Sequence, residues 1–245
     1  MSEVDRYAVA RYARVAQRVV DAYGQYDFQA IFQAINEFVT VDLSAFYLDV
    51  CKDRLYTLPA GSPERRSAQT ALYVIADGLT RLIAPILSVT AEEIWKYLPG
   101  AREASVHLAE FPTQLDAWTD EALEARWGRL LEVRGTVNAA LEVARVGKVI
   151  GAPLTAHVSM AAHGDLYDLL VRYQADLPML FIVSAVTVAR LAGEGNLEPA
   201  VAHAAGDKCP RCWRFVTETA AREGDLAGLC LRCAEAVGDA VALQR

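Results

Sequence analysis

The sequence predicts a mainly α fold, in which a helical bundle is followed by a small α/β module and a C-terminal module built on four cysteines. Apolar residues recur at three- and four-residue steps through about the first hundred positions, and they alternate with polar residues near position 157. Four of the five cysteines lie between positions 209 and 233. The predicted boundaries are 1–117 for the helical domain, 118–192 for the α/β module, 193–207 for a linker and 208–245 for the cysteine module.

The first domain is predicted to contain four or five amphipathic helices. A helix over 3–23 ends at Gly24, Asp27 caps a second helix, and a break near Thr40 to Asp42 precedes a third helix over 43–56. The stretch 58–67 contains two prolines and a glycine, so it is predicted as a loop.

A long helix follows this loop, and Pro85 is expected to kink or end it. Thr90 and Glu93 have the spacing of a capping box, which predicts a new helix that begins at Thr90 and is closed by Pro99 and Gly100.

The α/β module is predicted from a change in period. After a charged helix over 119–147, the segment 154–160 alternates apolar and polar residues as a half-buried strand does. A helix near 165–175 and a second strand over 180–191 complete the module. The following stretch, 192–207, is rich in glycine, small and acidic residues, which is typical of a linker.

Composition limits the function classes. The chain has 245 residues, 53% of them hydrophobic, and a formal net charge of −7, which argues against sequence-blind coating of nucleic acid. It contains neither a run of about 20 apolar residues nor a signal-peptide pattern at its charged start, so we expect a cytoplasmic chain with no membrane partner and with reduced thiols. Phosphate-cradling glycine loops and nucleophile elbows are absent from the sequence, and Cys51 is expected to be a buried, inert thiol.

The four late cysteines have the spacing of a metal site. Cys209 and Cys212 form one Cys-x-x-Cys pair, seventeen residues follow, and Cys230 and Cys233 form the other. Four thiolates complete the tetrahedral shell of one structural Zn²⁺ and leave no open position for chemistry. The alternative of a redox pair would need a single solvent-open pair in a thioredoxin-like unit, which this short tail does not provide.

The residues around Cys212 have two interpretations. Trp213 and Phe215 can cover the metal site, or they can stack on exposed RNA bases while Lys208, Arg211 and Arg214 meet phosphates. We expect Phe215 to be cover and leave Trp213 open. A second set of basic residues, formed by Lys52, Arg54, Arg65 and Arg66, surrounds the predicted loop and is either a solvated face or an RNA contact.

Parts of the sequence resemble successive modules of one enzyme family, and they occur in the same order as in that family. The stretches "FYLDVCKDRLY", "RRSAQTALY" and "APILSVTAEEIW" are similar to the anticodon-binding bundle of the class I synthetases for isoleucine, valine and leucine. "VRGTVNAALEVARVGKVIGAPLTAHV" resembles the junction module of the isoleucine enzyme, and "KCPRCW…CLRCAEAV" resembles the zinc module of bacterial-type isoleucyl-tRNA synthetases. The valine and leucine enzymes share the bundle but lack the four-cysteine ending.

The resemblance implies that this chain binds tRNA and that catalysis and editing belong to other domains of the parent enzyme. The family's His-Ile-Gly-His and Lys-Met-Ser-Lys-Ser signatures are absent, as is its editing domain, so ATP and Mg²⁺ are expected only in a catalytic domain that this chain lacks. The chain alone is expected to be an inactive monomer that binds the anticodon stem and loop of isoleucine tRNA and that works with the catalytic and editing domains of a parent synthetase.

By the same resemblance, the tRNA contacts are expected at Lys52, Arg54, Arg65, Arg66, Arg211, Trp213 and Arg214. Two other functions compete with this one. A free-standing RNA-binding or regulatory protein derived from a synthetase stays possible on sequence grounds. A DNA-repair glycosylase, some of which end in a related finger, is disfavoured because those proteins begin with a Pro-Glu motif that is missing from "MSEVDRY".

Overall fold

A computed structural model describes residues 1–191, 197–220 and 226–242. The chain separates into two compact units: the first is Met1–Cys51 with Gly61–Glu124, and the second is Lys52–Ala60 with Ala125–Arg245. Among the described residues, no helix is both long and apolar enough to cross a membrane.

The first unit is helical. Its elements are α1 (Glu3–Gly24), α2 (Phe28–Glu37), a π-helix (Phe38–Tyr47), the start of α3 (Leu48–Thr57), α4 (Pro63–Ile83), α5 (Ser88–Tyr97) and short 3₁₀ turns at Val106–Leu108 and Leu115–Trp118. The helix predicted over 3–23 is confirmed as α1, and the predicted cap of α2 is confirmed because the Asp27 side chain accepts a hydrogen bond from the Ala30 N–H at 3.0 Å.

The predicted break between Thr40 and Asp42 is wrong. The chain continues there as a π-helix, and the Thr40 hydroxyl donates to the Asn36 carbonyl at 2.7 Å. The buried residues Phe38 and Leu43 are five positions apart, which suits the wider turn of a π-helix. The polar residues Thr40 and Asp42 interrupt the apolar period of an α-helix, which is why the sequence suggests a break. In the π-helix they lie on its outer side.

The ends of α4 and the start of α5 test two further predictions. Helix α4 ends at Ile83, two residues before Pro85, as predicted. Helix α5 begins at Ser88 and not at Thr90, and its preceding residue, Leu87, makes no side-chain cap, so the predicted capping box is wrong.

A close contact between α1 and α4 lies in the core of the first unit. The Tyr12 side chain is almost completely buried, and its hydroxyl lies against Gly78 of α4. A Cβ atom at position 78 would be 1.6 Å from this hydroxyl oxygen. Glycine at this position therefore lets the two helices approach with the phenol ring between them.

The second unit combines helices with two small sheets. Its elements after the end of α3 are α6 (Glu121–Val146, whose first turn belongs to the first unit), β1 (Ala156–Ala162), α7 (Gly164–Arg172), α8 (Leu177–Phe181), β2 (Ala185–Arg190), β3 (Ala200–His203), β4 (Asp207–Lys208), β5 (Phe215–Val216) and α9 (Leu231–Ala242). In the larger sheet β1 lies in the middle, parallel to β2 and antiparallel to β3.

The predicted half-buried strand is confirmed as β1, in which Ala156, Val158, Met160 and Ala162 are buried. The second predicted strand is shorter than 180–191, because α8 and a left-handed residue, Ile182, occupy its first part. Strand β3 lies inside the stretch predicted as a linker, of which residues 193–196 fall outside the described chain. The boundaries of the four predicted domains stay a prediction.

Candidate metal centre and nucleic-acid interface

The first cysteine pair lies in the turn of a small hairpin. Strands β4 and β5 pair Asp207 with Val216 and Lys208 with Phe215, and the chain between them carries Cys209 and Cys212. Gly206 begins the hairpin with a φ of 89°, and a Cβ atom there would be 2.0 Å from the Val216 carbonyl oxygen. Only glycine fits this entry to the turn.

Backbone hydrogen bonds close the turn around the sulfur atoms. The Cys209 N–H donates to the Arg214 carbonyl at 2.9 Å, and the Trp213 N–H donates to the Cys209 carbonyl at 2.9 Å. These bonds hold Trp213 in the left-handed region, with a φ of 66°. This conformation is unusual for a bulky residue, and it follows from the tight turn after the second cysteine.

The second pair lies where α9 begins. Cys230 bridges to Thr219 just before the helix, and Cys233 lies in the first turn. The Cys230 N–H donates to the Cys209 sulfur at 3.4 Å, which connects the two pairs directly.

The four sulfur atoms form one compact cluster. They all lie within 4.8 Å of one another, the Cys212 and Cys230 sulfurs are 3.7 Å apart, and all four thiols are buried and free of disulfides. Leu229 and Ala234 are buried with them, and Val216, Leu226 and Val237 pack against the cluster. The four cysteines can therefore hold a metal ion, as their spacing predicts.

The surroundings of the thiols differ. Burial by itself would raise the pKa of Cys209, but backbone N–H groups of Cys212, Cys230 and Arg211 hydrogen-bond its sulfur and lower its pKa to about 6. Burial raises the pKa of Cys233 to about 12, although Arg211 donates to its sulfur at 3.6 Å. Metal binding requires the thiolate form, which these backbone hydrogen bonds favour at Cys209.

Arginines of this module contact the last turns of α3 inside the second unit. Arg211 donates to the Thr57 carbonyl as well as to the Cys233 sulfur, and Arg214 forms an ion pair with Asp53 at 3.4 Å. Their role in tRNA binding stays a prediction, and the structure adds that both guanidinium groups already have partners within the chain.

Asp53 was not among the residues selected from the sequence. Its two carboxylate oxygens accept hydrogen bonds from Arg232 at 2.6 and 2.7 Å, and the Thr57 hydroxyl donates to it at 3.0 Å. Burial would raise the pKa of Asp53, but the hydrogen bond from Arg232 and the charge of Arg214 lower it below its usual value. The hydrogen bond to Asp53 in turn raises the pKa of Arg232. A single sequence gives no signal for a pairing across 179 positions.

The two aromatic residues of the hairpin differ in exposure. Trp213 is 59% exposed, and the Lys208 ammonium lies 5.7 Å from the centre of its ring. Phe215 is half-buried and meets the ring of His203 edge to face, with the ring centres 4.7 Å apart. The side chains that pack on the sulfur cluster come instead from Val216, Leu226 and Val237.

The other predicted basic residues lie on two helices. Lys52 and Arg54 belong to α3, where Lys52 is exposed and Arg54 is only 6% exposed. Arg65 and Arg66 lie in the first turns of α4, where Arg66 is exposed and Arg65 is half-buried. Lys52 and Arg66 thus present more surface to an RNA than Arg54 and Arg65 do. The grouping of all four as one tRNA-binding surface stays a prediction.

Comparison with known proteins defines the class of protein to which the chain belongs. The family described as "Anticodon-binding domain of tRNA ligase" matches residues 5–160, which is more than half of the chain. The chain therefore belongs to the family of anticodon-binding domains of tRNA ligases.

The similar proteins point to one member of this class. The chain is 42% identical over 245 residues to an isoleucine–tRNA ligase of Geobacter sulfurreducens and 47% identical over 248 residues to that of Syntrophotalea carbinolica. In each case 97% of the chain is covered, and the match spans 26% of the relative's length. An isoleucine–tRNA ligase of Carboxydothermus hydrogenoformans is 44% identical, with 95% of the chain and 26% of that protein covered. The predicted resemblance to isoleucyl-tRNA synthetases is confirmed, and the chain spans about a quarter of the length of these relatives.

Proposed function

We propose that the chain is the tRNA-binding part of an isoleucine–tRNA ligase and that it binds the anticodon stem and loop of isoleucine tRNA. The observation that carries this proposal is the similarity to isoleucine–tRNA ligases along 95% or more of the chain, together with the anticodon-binding family match. Activation of isoleucine with ATP and Mg²⁺, and editing, are assigned to the parts of a ligase that lie outside this match. The chain alone is expected not to aminoacylate tRNA.

The RNA contacts are proposed at the exposed members of the predicted set. Lys52 and Arg66 would meet phosphates, while Trp213 offers an exposed ring on which a base can stack. Lys208 beside that ring adds a charge for a neighbouring phosphate. The overall charge of −7 disfavours indiscriminate binding of RNA elsewhere on the chain.

We also propose that the metal ion is one structural Zn²⁺. Four thiolates about 2.3 Å from a tetrahedral zinc ion lie about 3.8 Å from one another, and the separation of 3.7 Å between the Cys212 and Cys230 sulfurs supports this arrangement. Four cysteine ligands leave no position for water or substrate, so the ion would stabilise the module and take no part in a reaction.

A titration with two tRNAs tests the main proposal. Isoleucine tRNA should bind more tightly than valine tRNA, and the affinity should fall with added salt because each neutralised phosphate releases counterions. Arg66→Ala should weaken binding and reduce the salt dependence by about one phosphate contact. The matched control is Arg145→Ala, which removes an exposed arginine paired with Glu142 on α6. Equal binding of both tRNAs, unchanged by Arg66→Ala, would refute anticodon recognition by this surface.

Trp213 can be tested separately. Trp213→Gly removes the ring and also suits the left-handed backbone at this position, whereas Trp213→Ala removes the ring and keeps the backbone strain. If the ring stacks on RNA, both variants should lose about 1–3 kcal/mol of binding free energy and keep a full equivalent of zinc. Loss of zinc from both variants would instead assign Trp213 to the cover of the metal site.

The same proposal places the chain in the cytoplasm, where tRNA is charged and thiols stay reduced. It also implies a monomer, which sedimentation of the zinc-loaded chain would test: a dimer at micromolar concentration would contradict it.

A further inference from the structure

Three arginines of the cysteine module converge on the last turns of α3, within the second unit. Arg211 contacts the Thr57 carbonyl, and Arg214 and Arg232 contact the Asp53 carboxylate. The partners are separated by 154 to 179 positions in the sequence. The segment Lys52–Ala60, in turn, clusters with this unit and not with the helices that flank it in the chain.

Arg211 links this segment directly to a sulfur atom of the cluster. Its Nη1 atom donates both to the Thr57 carbonyl at the end of α3 and to the Cys233 sulfur, 3.6 Å away. A carbonyl at a helix C-terminus carries partial negative charge and lacks an intrahelical partner, so a guanidinium is well suited to it. The position of Arg211 beside Cys233 therefore depends on where this helix ends.

Asp53 fixes a second arginine in the same way. It receives a bidentate pair from Arg232, which directly precedes Cys233 in the chain. Bidentate arginine–carboxylate pairs define the orientation of both groups. The Thr57 hydroxyl, which donates to the Asp53 side chain at 3.0 Å, holds the carboxylate itself in place.

The negative charge of the thiolate cluster explains why guanidinium groups beside the sulfurs would affect metal binding. Four thiolates around one divalent cation carry a net charge of −2, and guanidinium groups beside the sulfurs offset it by charge-assisted hydrogen bonds. Partners that hydrogen-bond a metal ligand typically change metal affinity by about 10–100-fold when they are removed. Arg211 is in this position at Cys233, Arg232 is the residue that precedes Cys233, and the end of α3 holds both arginines.

We propose that the end of α3 is an outer part of the metal centre, in which the Thr57 carbonyl positions Arg211 beside the Cys233 sulfur and Asp53 holds Arg232, the residue before Cys233. Metal retention and the order of residues 52–60 are then coupled. By thermodynamic linkage the coupling is reciprocal, so metal removal loosens this segment and loss of Asp53 weakens metal binding. This inference rests on the proposal that the four cysteines bind a metal ion, which elemental analysis of the unsubstituted chain tests on its own.

The first experiment measures metal release from the zinc-loaded chain to a chromophoric chelator. Asp53→Asn and Arg211→Met should each release the metal at least about tenfold faster than the unsubstituted chain. The matched control is Asp168→Asn, which breaks the exposed ion pair between Asp168 and Arg190 in the same unit. Asp53→Glu keeps the charge and should restore most of the retention.

Release at the unsubstituted rate from both Asp53→Asn and Arg211→Met would overturn the proposal. If Asp53→Asn does not fold, the exchanged pair Asp53→Arg with Arg232→Asp provides the test. Slower release from this double variant than from Arg232→Asp alone supports positioning by the pair, and equal release from the two contradicts it.

The second experiment uses the unsubstituted chain and needs no substitution. Amide hydrogen exchange is compared with and without one equivalent of zinc, and residues 52–60 should lose protection when the metal is removed. Strand β1 of the same unit should keep its protection and serves as the internal control. Unchanged exchange over 52–60 in a chain that has lost its metal would contradict the coupling, even where tRNA binding itself behaves as proposed.

Discussion

The helical first unit and the cysteine module obtain their stability in different ways. The helical unit buries large side chains, including Trp95, Tyr12, Tyr47, Phe38 and Ile31. The buried cluster of the cysteine module consists of six described residues, four of them cysteines. Apolar area removed from water stabilises the first region, whereas the second has little of it and would gain stability from a metal ion bound by its four thiols. The comparison therefore predicts that a metal ion stabilises the cysteine module and leaves the helical first unit unaffected.

Removal of the metal should produce the largest effect, and it should leave the helical first unit unchanged. Coordination by four thiolates contributes on the order of 10 kcal/mol to the folding of structural zinc sites. A strong chelator should therefore abolish amide protection in 208–220 and 226–238, while protection in α1 and α4 stays at its metal-loaded level. Cys233→Ser should reproduce this result without a chelator.

The same hydrogen-exchange measurement can contradict this prediction. If hydrogen exchange in α1 and α4 rises together with that of the cysteine module on chelation, the two regions share one unfolding transition. The difference in stability drawn from their cores would then be wrong.

A methyl group at position 78 should act on the helical unit alone. Gly78→Ala places a Cβ atom 1.6 Å from the Tyr12 hydroxyl oxygen and 2.4 Å from the ring carbon that carries it. Tyr12 is buried and would have to shift within a packed core, so the substitution should cost roughly 1–3 kcal/mol of unfolding free energy despite the better helix propensity of alanine. Urea unfolding followed by circular dichroism measures this loss.

Gly128→Ala in α6 provides the control. A Cβ atom there meets no other atom within 4 Å, so only the helix propensity changes and the chain should gain up to about 1 kcal/mol. Neither substitution should alter the zinc content. Equal stability changes at positions 78 and 128 would show that the contact with Tyr12 carries no cost.

The sequence predicts local features of both regions better than it predicts their pairings. The cap of α2 by Asp27 and the alternation in β1 are visible because each depends on neighbouring residues. The four-cysteine cluster is predicted because its spacing repeats. The pair formed by Asp53 and Arg232 joins positions that only the fold brings together, and its two charges look like those of any exposed helix.

Two structural features escaped prediction for physical reasons. The π-helix over 38–47 departs from the period on which helix recognition relies, so its polar residues indicate a break. Strand β3 has four residues, is mostly exposed and is stabilised by pairing with β1, so it carries little hydrophobic pattern of its own.

Two buried tyrosines of the helical unit differ in the partner of the hydroxyl group, and Tyr12→Phe should give the smallest of the expected effects. The Tyr47 hydroxyl donates to the buried Asp5 carboxylate at 2.7 Å, whereas the Tyr12 hydroxyl is buried without a hydrogen-bond partner among the residues that the structure describes. Tyr47→Phe should cost about 1–3 kcal/mol because it removes a donor from a buried charge. Tyr12→Phe should raise the unfolding free energy by about 1 kcal/mol because it removes an unsatisfied polar group.

The same Tyr12→Phe variant sharpens the test at position 78. Without the hydroxyl, the nearest atom to a Cβ at position 78 is the ring carbon at 2.4 Å, so Gly78→Ala should cost less in the Tyr12→Phe background than in the unsubstituted chain. Urea unfolding of both single variants and the double variant gives the coupling energy. A coupling of zero would mean that the helices shift to accept the methyl group, and that the core of the first unit is less rigid than its packing indicates.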